Sequence, residues 1–321
     1  NNQPTQKEID AEQAKKEQVI QQEKAEANKN AEVSNVATTI DSTSSDTLQI
    51  AKLKSTLGNF AYSATLPSAK NEVTTLENDV LLLKIANKGG YIVEATLKNF
   101  TKFSKDSGQL VSLIKDNNAN LNIQLQTSDN RTLNTKDLYF EPTLTKAGEN
   151  QILSMRLKAG PNEFLEYKYV LKPNDYMLDF DVQSQGLNKV LNTSKPLDLE
   201  WKLKSYRNEK SVSYENRYTV ADYKYEDDKF SYVSDGTAKE DTPVDVSYVS
   251  FKQHFFTSIL LTEKPFNKSV IHSDNLVKDE EKDTIFTKQF KANVPLAFNN
   301  GEVDYKMNWY FGPSDYKLLK S

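Results

Sequence analysis

Every second residue is apolar in run after run of this chain, and that rhythm limits its fold more than any other feature. Leu197, Leu199, Trp201 and Leu203 form one such run, and Val303, Tyr305, Met307, Trp309 and Phe311 form another. The same alternation covers 121–125, 153–157, 165–171 and 178–182. A period of two places alternate side chains on one face of a pleated strand, so one face is buried and the other is wetted. Strands of that kind belong to antiparallel sheets packed as a sandwich. A doubly wound parallel sheet buries both faces and reads as continuous apolar runs. Turn signals separate the strands, among them Lys88-Gly89-Gly90, Gly160-Pro161 and Asn299-Asn300-Gly301. The runs are too many for an immunoglobulin-sized sandwich, and the expectation is one large all-β antiparallel sandwich over 73–311. The most apolar stretch, 248–261, is expected to be a central strand carrying His254. It is shorter than the ~20 residues a membrane-spanning helix requires, and no other segment is long enough either.

The residues before 73 lack this rhythm. Residues 1–34 are rich in Glu, Gln, Lys and Ala and carry no Gly. They form a charged arm that is either a solvated helix or disordered, since Ile9, Val19, Ile20 and Val33 have no coiled-coil spacing. Residues 35–72 are rich in Ser, Thr and Ala and read as a linker. These two segments account for much of the low mean hydropathy of −0.68. The chain begins with Asn1 rather than Met and reads as a piece of something longer.

The composition is poor in catalytic side chains. There is no cysteine, which removes disulfides, thiolate nucleophiles and thiolate metal sites. Only His254 and His272 could act as a histidine base, and neither sits in a nucleophile motif. The acidic runs Asp227-Asp228 and Asp279-Glu280-Glu281 lie in charge-dense loops. Asp116-Asn117-Asn118 lacks the spaced carboxylates of a calcium loop. No catalytic residue, metal ligand or cofactor is therefore expected. With 41 Lys and Arg against 45 Asp and Glu, the formal net charge is −4, which argues against a nucleic-acid partner.

One stretch stands apart. Residues 205–248 are polar yet hold seven tyrosines, interleaved with charges. Tyrosine offers wide contact area at small conformational-entropy cost. Tyr206, Arg217, Tyr218, Tyr223, Lys224 and Tyr225 are the candidate partner surface. An edge hairpin whose tyrosines cover their own sheet explains the stretch equally well.

Four segments resemble the periplasmic domain of the bacterial membrane protein insertase YidC, in its Bacteroidetes-type form. The first is LENDVLLLKIANKGGYIVEATLKNF at 76–100, with Gly89, Gly90, Ile92 and Leu97 in the family's pattern. The second is the EYKYVLKPNDYMLDFDVQ hairpin at 166–183, with Val170, Leu171, Tyr176 and Phe180. The third is SYVSFKQHFFTSIL at 247–260, matched through Val249, Gln253 and Phe256, although Tyr248 and Phe255 stand where the family usually has Trp and Tyr. The fourth is WYFGPSDYKLLKS at 309–321, where Gly312-Pro313 marks the exit.

The resemblance implies a galactose-mutarotase-like β-supersandwich and a connecting helix that starts at 312–321. It also implies one transmembrane helix before Asn1 and an insertion groove within further helices beyond Ser321. The implied location is the periplasmic face of the inner membrane. The implied partners are nascent membrane proteins and the Sec translocon components SecDF and SecYEG. In this picture the domain is a non-catalytic interaction module. The alternative is a carbohydrate-binding or aldose-epimerase-like sandwich, which the scarcity of histidine and the inward positions of Trp201 and Trp309 disfavour.

Overall fold

The computed structural model describes residues 46–103, 108–233 and 239–314. The chain divides into two compact units, residues 1–56 and 57–321. The described part of the first unit lies within helix α1 (Asp46–Leu57). The second unit begins with a 3-10 turn (Gly58–Phe60) and a short helix α2 (Ala61–Ala64). Leu57, Phe60 and Ala61 are all buried, as their i, i+3, i+4 spacing allows on a helical face. Ser63 Oγ donates to the Tyr139 carbonyl at 2.6 Å. The stretch expected to be a linker over 35–72 is thus helical from Asp46 to Ala64, because a Ser/Thr-rich composition masks its short apolar stripe. The charged arm expected at 1–34 lies outside the described residues.

Nineteen strands follow among the described residues. The first ten are β1 (Val73–Glu77), β2 (Leu81–Ala86), β3 (Ile92–Thr101), β4 (Leu110–Ile114), β5 (Ala119–Gln126), β6 (Thr132–Asn134), β7 (Glu141–Ala147), β8 (Asn150–Lys158), β9 (Phe164–Leu171) and β10 (Met177–Gln185). Next come β11 (Leu197–Tyr206), helix α3 (Val212–Tyr218), β12 (Val220–Tyr225), β13 (Lys229–Tyr232) and β14 (Lys239–Asp241). The last five are β15 (Val246–Lys252), β16 (Phe256–Phe266), β17 (Val270–Asn275), β18 (Phe286–Leu296) and β19 (Asp304–Pro313). They form a four-stranded sheet ordered β1-β2-β3-β4, a nine-stranded sheet ordered β13-β12-β15-β16-β19-β10-β9-β8-β7, and a six-stranded sheet ordered β14-β17-β18-β11-β5-β6. Every strand pairing is antiparallel, so the expected all-β antiparallel sandwich is the observed architecture.

The alternating residues do what their period dictates. Trp201 on β11 lies opposite Ala292 and Leu121 in its own sheet. Its ring stacks at 3.9 Å on Phe251 of the nine-stranded sheet and meets Trp309 edge-on at 4.8 Å. Phe251 in turn stacks on Phe290 of β18 at 4.9 Å. These four rings are buried and join the two large sheets, each removing apolar surface worth about 1.5–3 kcal/mol. The small sheet joins through Phe100 and Phe256, 5.3 Å apart edge to face. The Gly89-Gly90 hairpin is also as expected, with φ of 84° and 67°.

Two boundaries differ from expectation. The stretch 248–261 is a hairpin rather than one strand. The Gln253 amide donates to the Phe256 carbonyl at 2.7 Å, which leaves His254 and Phe255 at the turn. Gln253 is held there because its Nε2 donates to the Tyr206 carbonyl at 2.5 Å. At the C-terminal end, Gly312 and Pro313 are still strand residues, paired with Thr257 and Phe256. The Ser314 amide then donates to the Phe255 carbonyl at 2.7 Å. The chain therefore stays on the sheet past Gly312, the expected exit. The remainder of the expected connecting helix lies outside the described residues.

Candidate functional site

The β15–β16 turn and helix α3 place four aromatic side chains together at one end of the sandwich. Helix α3 begins at Ser211, whose Oγ accepts the Tyr214 amide at 3.3 Å as an N-cap. Tyr214 and Tyr218 are four residues apart and share a face, with ring centroids 5.0 Å apart. His254 stacks on Tyr218 at 4.8 Å and lies 4.0 Å from Phe255. Tyr214, Tyr218 and Phe255 are exposed at 44%, 42% and 54%, too large an exposure for rings that only serve their own core.

The cluster is held by two carboxylates behind it. Glu209 Oε1 lies 2.8 Å from Nδ1 of His254 and fixes the imidazole plane against Tyr218. Glu215, in α3, is buried, and its oxygens accept the amides of Asn208 at 2.9 and 3.0 Å and of Glu209 at 3.0 Å. Burial pushes the Glu215 carboxyl up to about 6, and those backbone amides hold it back from rising further. A cleft of about 570 Å³ opens beside the cluster. Phe100 and Phe256 line it, together with Phe103, which is 48% exposed, and Pro313. Apolar walls with a few polar groups at the rim suit recognition of an apolar segment. Among the described residues no three His, Asp or Glu side chains converge to hold a metal ion.

The residues singled out from the sequence fall in three places. Arg217 and Tyr218 sit on α3, exposed, as part of this cluster. Tyr206 is buried at the end of β11, packed on Phe286 at 4.7 Å. Tyr223, Lys224 and Tyr225 belong to β12, where Tyr223 is buried and its hydroxyl donates to Asp241 at 2.9 Å. Lys224 points to the opposite face and pairs with Asp228 at 2.6 Å. The six do not make one surface. Tyr214, His254 and Phe255 complete the cluster and Phe103 lines the cleft beside it; none of the four is among the six residues of the candidate partner surface. A Ser211 N-cap followed by tyrosines at i and i+4 was the available signal for Tyr214. His254 had none, because reading 248–261 as one strand buried it. The structure places it in a turn, partly exposed, with its ring between a carboxylate and a tyrosine.

No helix among the described residues is long and apolar enough to cross a membrane. Residues 73–321 match the family model of the YidC periplasmic domain. The membrane protein insertase YidC of Parabacteroides distasonis is 29% identical over 279 residues, which is 86% of this chain and 42% of that protein. The one from Phocaeicola vulgatus is 28% identical over 254 residues, 77% of this chain and 39% of that protein. The chain thus spans about two fifths of the length of these curated relatives. Among solved structures, a putative aldose 1-epimerase from Escherichia coli K12 is similar at 10% identity and a TM-score of 0.43, over 75% of this chain and 99% of that one. A galactose 1-epimerase from Lactobacillus acidophilus NCFM is similar at 13% identity and a TM-score of 0.42, over 76% of this chain and 95% of that one. Likenesses this distant say nothing of activity.

Proposed function

Because the chain belongs to the YidC periplasmic domain family, we propose that it is the non-catalytic contact module of a membrane protein insertase on the periplasmic face of the inner membrane. The observation that carries this reading is the match across 73–321, joined by relatives that are named insertases. The proposed role is to engage partners of membrane protein insertion, namely nascent membrane proteins and the translocon components SecDF and SecYEG. The insertion step itself would belong to parts of the protein outside this chain.

Within that reading, the aromatic end is the contact surface. Large, rigid rings with polar edges are the side chains that dominate protein interfaces, and here Arg217 stands among them. The geometry of His254 favours contact over catalysis. Its Nδ1 is engaged by Glu209 and its ring face by Tyr218, so it supports the cluster.

The test uses the full-length insertase in membranes. Replacing Tyr214, Tyr218 and Phe255 together by Ser should reduce copurification of SecDF by about tenfold, as loss of central aromatic contacts does. The pair Phe230→Ser and Tyr232→Ser removes two other exposed rings (67% and 61%) and should leave recovery unchanged. Equal recovery in both variants would count against the aromatic end as the contact surface.

A further inference from the structure

A second hollow, of about 370 Å³, shares Phe103 with the aromatic cleft. Its base is the Tyr206 ring, and three cations surround it. Lys115 Nζ lies 5.0 Å and Lys102 Nζ 5.5 Å from the centre of that ring. Arg207 stacks on Phe103 at 4.7 Å. Its Nε donates to the carbonyl of Glu209 at 2.8 Å, and its other nitrogens donate to the carbonyls of Lys210 at 3.1 Å and Thr284 at 3.4 Å. Those bonds fix the guanidinium without neutralising it and leave two of its five N–H donors.

None of the three cations has a carboxylate within ion-pair distance among the described residues, whereas Lys84, Lys98, Lys158 and Lys224 all do. Two carboxylates act on the hollow: Asp116 interacts with the Tyr206 hydroxyl and with Lys102, and the charge of Glu215 acts on Lys102 and Arg207. Burial lowers the pKa of Lys102 and the charge of Lys115 lowers it further, while Glu215 and Asp116 draw it back up. In a chain of net charge −4, three cations around one half-buried hollow, none in an ion pair among the described residues, call for an anion.

We propose that the hollow formed by Lys102, Lys115, Arg207 and Tyr206 binds a phosphate group. A phosphate oxyanion accepts from several donors at once and carries enough charge to balance the excess, and charge-assisted bonds of this kind are the strong ones. The hollow also has apolar walls in Phe103 and in Ile285, which is 61% exposed, so it has room for whatever carries the phosphate. The bearer is either a soluble phosphate compound or a phospholipid headgroup.

The test titrates the 321-residue chain with inorganic phosphate, with glycerol phosphate, and with phosphatidylglycerol vesicles against phosphatidylcholine vesicles. Saturable binding is expected in at least one phosphate arm. Lys102→Gln/Lys115→Gln should weaken it by about tenfold or more, the loss expected for two charge-assisted contacts. Lys146→Gln/Lys268→Gln removes the same charge from other exposed sites and should leave binding unchanged. Lys102→Arg, which keeps the charge, should retain binding even where a Gln variant proves less stable. Saturation by the soluble compounds alone assigns a soluble source, and saturation by the anionic vesicles assigns a headgroup. No saturable binding in any arm, or equal weakening in both double variants, would overturn the proposal.

Discussion

The carboxylate of Glu215 grips the amide of Asn208 with both oxygens, at 3.0 and 2.9 Å, from a position only 1% exposed. This contact ties helix α3 to the loop that leaves β11. Asn208 continues it by donating to the Tyr206 carbonyl at 3.2 Å and to Gln253 at 3.3 Å. The aromatic end therefore rests on a buried polar network that fixes α3 and the β15–β16 turn relative to each other.

That network gives a pH signature. The Glu215 carboxyl titrates near 4.5 when unfolded and at about 6 when folded, so the folded state holds its proton more tightly. Its contribution to stability is complete below the lower value and is lost as pH rises through the upper one. Urea unfolding of the wild type should therefore lose about 2 kcal/mol from a pH well below the lower value to one well above the upper, relative to Glu215→Gln, whose amide oxygen still accepts an N–H. Parallel stability curves for the two proteins would contradict this.

Trp201 is the ring on which the two large sheets close, with Phe251 and Trp309 against it. Trp201→Ala should cost about 3–5 kcal/mol, because stiff sheets on both sides cannot collapse into the space it leaves. The midpoint of urea unfolding measures this directly. A change below about 1 kcal/mol would mean that the sheets are not joined there.

Gly90 and Gly148 separate two costs of a left-handed backbone. Both have positive φ, 67° and 61°. A Cβ on Gly90 would lie 2.7 Å from the Phe140 ring, whereas one on Gly148 would meet nothing within 4 Å. Gly148→Ala should cost about 1–2 kcal/mol, the conformational penalty alone. Gly90→Ala should cost more than that by about 1–3 kcal/mol, since overpacking is added to it. Thermal unfolding of the two variants side by side checks the order.

Much of the sandwich was legible because its strands bury one face only. Leu197, Leu199, Trp201 and Leu203 alternate in the sequence as they do in burial. Position along a strand, however, does not say where the strand ends. Gln253 and His254 interrupt an apolar run that otherwise continues, and only the Gln253–Phe256 amide bond and the bond to Tyr206 make a turn there. The helix at Asp46–Leu57 and the turn after it were hidden for a related reason. Ser, Thr and Ala dilute a stripe whose apolar members, Leu57, Phe60 and Ala61, are few.

The candidate site was half legible. A concentration of tyrosine marked the right stretch, and Arg217 and Tyr218 are at the exposed end. Composition could not separate Tyr218 from Tyr206 and Tyr223, which are buried by their own sheets. Nor could it bring in His254 and Phe255, which reach the cluster from a turn far along the chain. Exposure is decided by which sheet edge a residue reaches, and that is a property of topology.

The most direct measurement is site-specific photo-crosslinking in the full-length protein in native membranes. A photoreactive phenylalanine placed at Tyr218 or Phe255 samples the aromatic end. One at Leu144, 48% exposed, samples the β7 edge of the nine-stranded sheet. Crosslinks to a translocon component or a nascent membrane protein from positions 218 and 255, and none from 144, are the expected result. Crosslinks to such a partner from 144 alone, or equally from all three, would contradict the assignment of the aromatic end as the contact surface.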